Sequence, residues 1–174
     1  MFARYFLLFG TVLLVGACSS NSDKGGIDTG FDNGLNDGDG VFVEQDEIYV
    51  DENGPAPGTQ ADLVVNVGDR IFFGTDSSDL SSAARTVLED QASWLGQYQS
   101  LTLTIEGHAD ERGTREYNLA LGERRANVVR NYLVALGVSP SRITTISFGK
   151  ERPAVPGSSE TAWSQNRRGV TKVQ

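Results

Sequence analysis

Residues 101–137 read LTLTIEGHADERGTREYNLALGERRANVVRNYLVALG, a strand signal that runs through a polar loop into a long helix signal. Leu101, Leu103 and Ile105 alternate with Thr102, Thr104 and Glu106, the period of a strand with one buried face. Thr114 stands where a helix N-cap belongs, and Gly137 ends the helix after Val128, Val129, Tyr132, Leu133 and Leu136 have supplied an apolar stripe.

The same two periods recur on either side. Upstream, Leu63–Val67 and Arg70–Phe73 are β-rich runs separated by Gly68-Asp69. Asp79 can cap a helix whose apolar set, Leu80, Ala83, Ala84, Val87, Leu88, Ala92 and Leu95, ends at Gly96. Downstream, Ile143–Phe148 predicts a strand, a polar loop with Pro153 and Pro156 follows, and Val170–Val173 predicts a last strand. The expected fold class is α/β: a small two-layer β-α-β-α-β sandwich with a further C-terminal strand, its helices packed on one mixed sheet.

The 174 residues, 39% hydrophobic and 22% charged, suit one compact domain with extensions. One cysteine excludes an intramolecular disulfide and any multi-cysteine metal centre, and one histidine excludes a site that needs two imidazoles. The net charge of -8 argues against nucleic acid as a partner. That charge is local: residues 19–60 hold ten acids against Lys24, whereas residues 61–174 hold 13 acids and 13 bases.

Arg4 precedes an apolar run, Phe6 to Val15, about half the ~20 residues that cross a bilayer. The run ends Leu14-Val15-Gly16-Ala17-Cys18, which resembles a bacterial lipoprotein signal. That resemblance makes residues 1–17 a signal peptide and Cys18 the lipidated N-terminus, carrying acyl chains such as palmitate, with Ser19 favouring the outer membrane. From residue 18 to 60 the chain reads as a flexible acidic Gly/Asp-rich tether, within which Val41–Val50 alternates weakly as a transient strand. Residues 28–40 alternate oxygen ligands with glycines but fail the calcium-loop frame. The folded domain then occupies residues 61–174.

Polar groups concentrate between the strand and the long helix. Asn118 and Arg125 are seven residues apart, close to two helical turns, so they share a face, and Asp110 in the preceding loop can approach the same spot. An acid, a guanidinium and an amide so placed suit a ligand carrying both a cation and a carboxylate. The alternative is an ordinary surface salt bridge between Asp110 and Arg125, worth about 0–1 kcal/mol.

The strings EGHADERGTREYN (106–118), LGERRANVV (121–129), ISFGKERPAV (146–155) and SQNRRGV (164–170) resemble the C-terminal domain of outer-membrane protein A and, more closely, the peptidoglycan-associated lipoproteins. The resemblance implies noncovalent binding of peptidoglycan through the meso-diaminopimelate of its stem peptide. It places the ligand pair on Asp110 and Arg125, the helix asparagine on Asn118 and the terminal-loop arginine on Arg167, with Thr75 and Asp76 at the edge of the site. Gly74 departs from the pattern, since many relatives carry Asp there. The resemblance also implies TolB and other Tol proteins as partners, an outer-membrane location facing the periplasm, a role in envelope integrity and cell division, and neither cofactor nor metal. Two rival functions are a protein-interaction adaptor without wall binding and a metal-dependent wall hydrolase built on Glu106, His108 and Asp110.

Overall fold

The structure, a computed structural model, describes residues 54–174. The signal segment, Cys18, the glycine-rich acidic stretch and the alternating segment Val41–Val50 lie outside the described residues.

The elements in chain order are α1 (Gln60–Asp62), a π-helical turn (Leu63–Val67), β1 (Arg70–Phe72), α2 (Ser82–Gln97), β2 (Leu103–His108), α3 (Arg115–Ala135), a 3-10 turn (Pro140–Arg142), β3 (Ile143–Gly149), α4 (Glu160–Asn166) and β4 (Arg168–Val173). The sheet order is β1-β4-β2-β3. β2 and β3 are parallel, joined through α3, while β4 runs antiparallel to both β1 and β2. The expected α/β sandwich on one mixed sheet is therefore present.

Leu63–Val67 is a correction, because it is helical and not a strand. Its valines favour a strand, but tertiary anchoring overrides that preference. Asp62 accepts bonds from Gly58 N at 2.8 Å, Asn66 Nδ2 at 2.8 Å and Trp94 Nε1 at 2.9 Å. These contacts wind the chain and drive Leu63 fully into the core. The turn closes where Gly68 N donates to Leu63 O at 2.7 Å, with Gly68 at a φ of 98°.

The two long helices follow their caps. Thr114 Oγ1 accepts from Tyr117 N at 3.2 Å, as its position predicted. For α2 the cap is Ser81, whose Oγ accepts from Ala84 N at 3.1 Å, and not Asp79, which is tied into its own loop by Ser77. The segment expected as an uninterrupted polar loop contains α4, capped by Ser159. With seven residues and one buried apolar side chain, Ala162, α4 offers no stripe to read.

Ile71, Leu88, Leu95, Leu103, Ile105, Val129 and Leu133 form the core between sheet and helices. Full burial of each large aliphatic side chain stabilises the fold by about 1.5–3 kcal/mol. α3 approaches β2 until backbone meets backbone: a Cβ on Gly107 would lie 1.8 Å from Gly122 O. That contact sets the depth of the next helical turn, which carries Arg125. The pairing of β2 with β3 shifts register at Gly107/His108, where β2 gives way to the loop that carries Asp110.

Candidate functional site

Arg125 sits on the sheet-facing side of α3 and is 0% exposed. Its Nε donates to Ser77 O at 2.8 Å, Nη1 to His108 O at 2.8 Å and Nη2 to Gly74 O at 3.0 Å. The Phe73 ring lies 5.1 Å from its Cζ. A guanidinium has five N–H donors, so two remain for other acceptors. Burial lowers its pKa to about 10, partly countered by the charges of Asp110 and Asp76, so it stays protonated at neutral pH. Arg125 thus ties together the β1–α2 loop and the end of β2.

Asp110 does not pair with Arg125. Its Oδ1 accepts from Arg112 N and Arg112 Nε, both at 3.1 Å, and its Oδ2 accepts from Arg112 Nη2 at 2.7 Å and Arg167 Nη1 at 3.4 Å. Burial pushes the Asp110 carboxyl up, but the bonds from Arg112 and Arg167 outweigh it and hold the acid below the ordinary carboxylate range. The reading of Asp110 and Arg125 as an ordinary surface salt bridge is therefore corrected: each is buried, and each has other partners.

The two groups nonetheless line one cavity of about 150 Å³, together with Thr75, Asp76, Tyr117 and Asn118. Asn118 is buried and donates to Arg112 O at 2.8 Å, which fixes the loop over the start of α3. Thr75 Oγ1 accepts from Arg112 Nη2 at 3.5 Å. Asp76 adopts a φ of 51°, a left-handed conformation that aspartate tolerates, and accepts a bond from the Tyr117 hydroxyl. That bond pushes the Tyr117 phenol up. A Cβ at Gly74 would lie 3.7 Å from Ser77 Cβ, an ordinary contact, so glycine here is not demanded by space.

Arg167 lies at the end of α4 with its side chain 8% exposed, and it does not line this cavity. Its Nε donates to Phe73 O at 3.2 Å and its Nη2 to Glu160 Oε1 at 2.8 Å. It supports Asp110 from behind. Three cavity-side residues escaped the sequence reading: Arg112, Tyr117 and, behind Arg112, Trp163, whose ring stacks 4.2 Å from the Arg112 Cζ. Arg112 follows Asp110 by two residues, the only local signal available; Trp163 gives none.

His108 turns into the protein, 1% exposed, with its ring stacked on Phe148. Burial lowers its pKa, opposed by Glu106, whose Oε2 stands 3.5 Å from Nε2. Among the described residues no group of three or more His, Cys, Asp or Glu is placed to hold a metal ion, so Glu106, His108 and Asp110 do not form the trio a hydrolase would need. A second cavity, about 330 Å³, lies between α3 and the end of β3, but its Arg115 is already paired with Glu151 at 3.2 Å.

An α/β sandwich whose cavity brings a buried arginine of the long helix to an acid of the preceding loop defines a class, and residues 72–167 match the model of the OmpA family. The chain belongs to that family. It is 58% identical over 117 residues to the peptidoglycan-associated lipoprotein of Mesorhizobium japonicum, covering 67% of this chain and 70% of that one. It is 41% identical over 169 residues to the peptidoglycan-associated lipoprotein of Pseudomonas aeruginosa, covering 96% and 94% of the two chains. The crystal structure of the peptidoglycan-associated lipoprotein from Burkholderia pseudomallei superimposes with a TM-score of 0.59 at 39% identity, over 61% of this chain and 90% of that one.

Proposed function

We propose that this chain is an outer-membrane lipoprotein that binds peptidoglycan noncovalently, a binder and not an enzyme. The reading rests on one cavity lined by both Asp110 and Arg125, the latter with two of its five N–H donors left without a protein acceptor. A ligand bearing an ammonium and a carboxylate on one stereocentre matches them, and meso-diaminopimelate of the stem peptide has that form. Asp110 takes the ammonium, Arg125 takes the carboxylate through the outer edge of its fork, and Asn118 holds the loop between them. Arg167 acts through Asp110, and Thr75 and Asp76 form the rim.

Similarity to proteins named peptidoglycan-associated lipoproteins supports the same reading, as does the run of small residues before Cys18. In this reading residues 1–17 are removed, Cys18 is acylated, residues 18–60 span the gap to the wall, and the domain from residue 61 faces the periplasm. TolB and other Tol proteins are its protein partners, with a role in envelope integrity and division. The test is sedimentation of the detergent-solubilised chain with purified sacculi. Co-sedimentation that free meso-diaminopimelate competes away is expected; a chain that stays in the supernatant would overturn the proposal.

A further inference from the structure

A carboxylate offers about four lone-pair positions to hydrogen-bond donors. At Asp110 all four are taken by protein donors, three of them from Arg112. An incoming ammonium therefore finds no open position on the acid assigned to receive it. One of the present donors has to leave.

The two arginines differ in their freedom to do so. Arg167 is 7% exposed and tied at two further points, to Phe73 O and to Glu160. The Arg112 side chain is 39% exposed. Apart from Asp110, its side chain has, among the described residues, a long contact to Thr75, the face of Trp163 and the attraction of Glu111 and Glu160. Trp163 is itself pinned by its Nε1–H to Glu111 Oε1 at 3.1 Å, so it forms a platform onto which a departing guanidinium can slide. The bond from Arg112 N to Asp110 remains when the side chain leaves, and the acid keeps its position.

We propose that Arg112 is a specificity-determining residue: its guanidinium occupies Asp110 as an internal stand-in for the ligand's ammonium, and only a ligand whose own ammonium replaces it gains the acid. The inference rests on the ligand reading above and deepens it. A ligand offering carboxylates alone meets Arg112 still in place and leaves Asp110 closed. A ligand offering ammonium and carboxylate exchanges one cation for another at Asp110 while its carboxylate reaches Arg125. Because the open arrangement is only part of the free ensemble, Arg112 weakens the apparent affinity for the right ligand.

The test is calorimetric titration of the full chain in detergent micelles with meso-diaminopimelate, for the parent, Arg112→Gln and Asp110→Asn. Arg112→Gln is expected to bind at least about threefold more tightly than the parent, and Asp110→Asn to bind far more weakly. N,N′-diacetyl-diaminopimelate, with both amines acylated and no free ammonium, is expected to gain nothing from Arg112→Gln. The chain has two tryptophans, Trp94 in the core and Trp163 under Arg112, so fluorescence gives a second readout. Ligand should change the emission of the parent and leave that of Arg112→Gln nearly constant; Arg112→Lys provides a folded cationic control. Equal or weaker binding by Arg112→Gln, with the parent binding and Asp110→Asn impaired, overturns this inference alone. A parent that does not bind at all overturns the ligand reading and this inference with it.

Discussion

Replacing Arg125 by lysine keeps the charge and removes the fork, and the geometry sets the size of the effect. Three nitrogens of Arg125 reach three separate carbonyls, on Gly74, Ser77 and His108. A lysine ammonium is one point on a flexible stem and can satisfy about one of them. Two of these carbonyls then lose charged donors, at about 1–3 kcal/mol where the carbonyl is buried, as on His108, and less on half-buried Ser77 or exposed Gly74, for a total of about 2–4 kcal/mol. For a domain of about 120 residues, each kcal/mol lowers Tm by about 3–6 °C, so a fall on the order of 10–20 °C is expected by circular dichroism. Binding must then be read well below that lowered Tm, where sacculus affinity should drop by ~10-fold or more because no second N–H pair faces the ligand's carboxylate. Arg125→Lys with parental Tm would refute the keystone role of Arg125. Parental binding by a folded Arg125→Lys would refute its ligand role.

Three further outcomes are expected. Gly107→Ala forces a Cβ into Gly122 O, backbone against backbone, and should destabilise the domain by more than about 3 kcal/mol; a Tm within a few degrees of the parent would contradict the packing. His108, the chain's only histidine, is held neutral by burial, so its folded pKa lies below that of the unfolded chain. The unfolded state then takes up the proton first, and stability should be complete above about pH 6.5 and decline as the pH falls below it, by at most about 1.4 kcal/mol per unit; His108→Phe should flatten that slope in denaturant titrations, and an unchanged slope would count against the buried neutral ring. Cys18→Ala should shift the protein from the membrane fraction to an unprocessed or soluble form, and unchanged fractionation without wall contact would contradict lipid anchoring.

The β2–loop–α3 segment was legible because most local signals agreed: the alternation from Leu103, the Thr114 cap, buried Val129 and Leu133, and Gly137 at positive φ are met in the structure, whereas Leu101 precedes the strand and Leu136, expected in the stripe, is the exposed C-cap. Leu63–Val67 was not, because its valines favour a strand while the Asp62 anchor that winds it depends on Trp94, 32 residues away. α4 was too short to show a period. At the site, helical spacing brought Asn118 and Arg125 to one cavity with Asp110, but the partners that give each its role are distant in sequence. Gly74 and Ser77, which hold Arg125, lie 51 and 48 residues before it. Trp163, beneath Arg112, lies beyond β3 in the chain. Side chains fixed by such long-range contacts leave no pattern in a local window.

In the proposed function, one cavity reads an ammonium and a carboxylate on the same stereocentre. The most direct measurement compares the affinity of the full chain, in micelles, for two muramyl tripeptides that differ only at the third residue, meso-diaminopimelate in one and lysine in the other. Lysine keeps the ammonium and lacks the second carboxylate, so its peptide can engage Asp110 but not Arg125. The diaminopimelate peptide is predicted to bind at least about tenfold more tightly, the difference expected for one charge-assisted bidentate contact in a partly desolvated site. Equal affinities for the two peptides would contradict recognition of the carboxylate by Arg125.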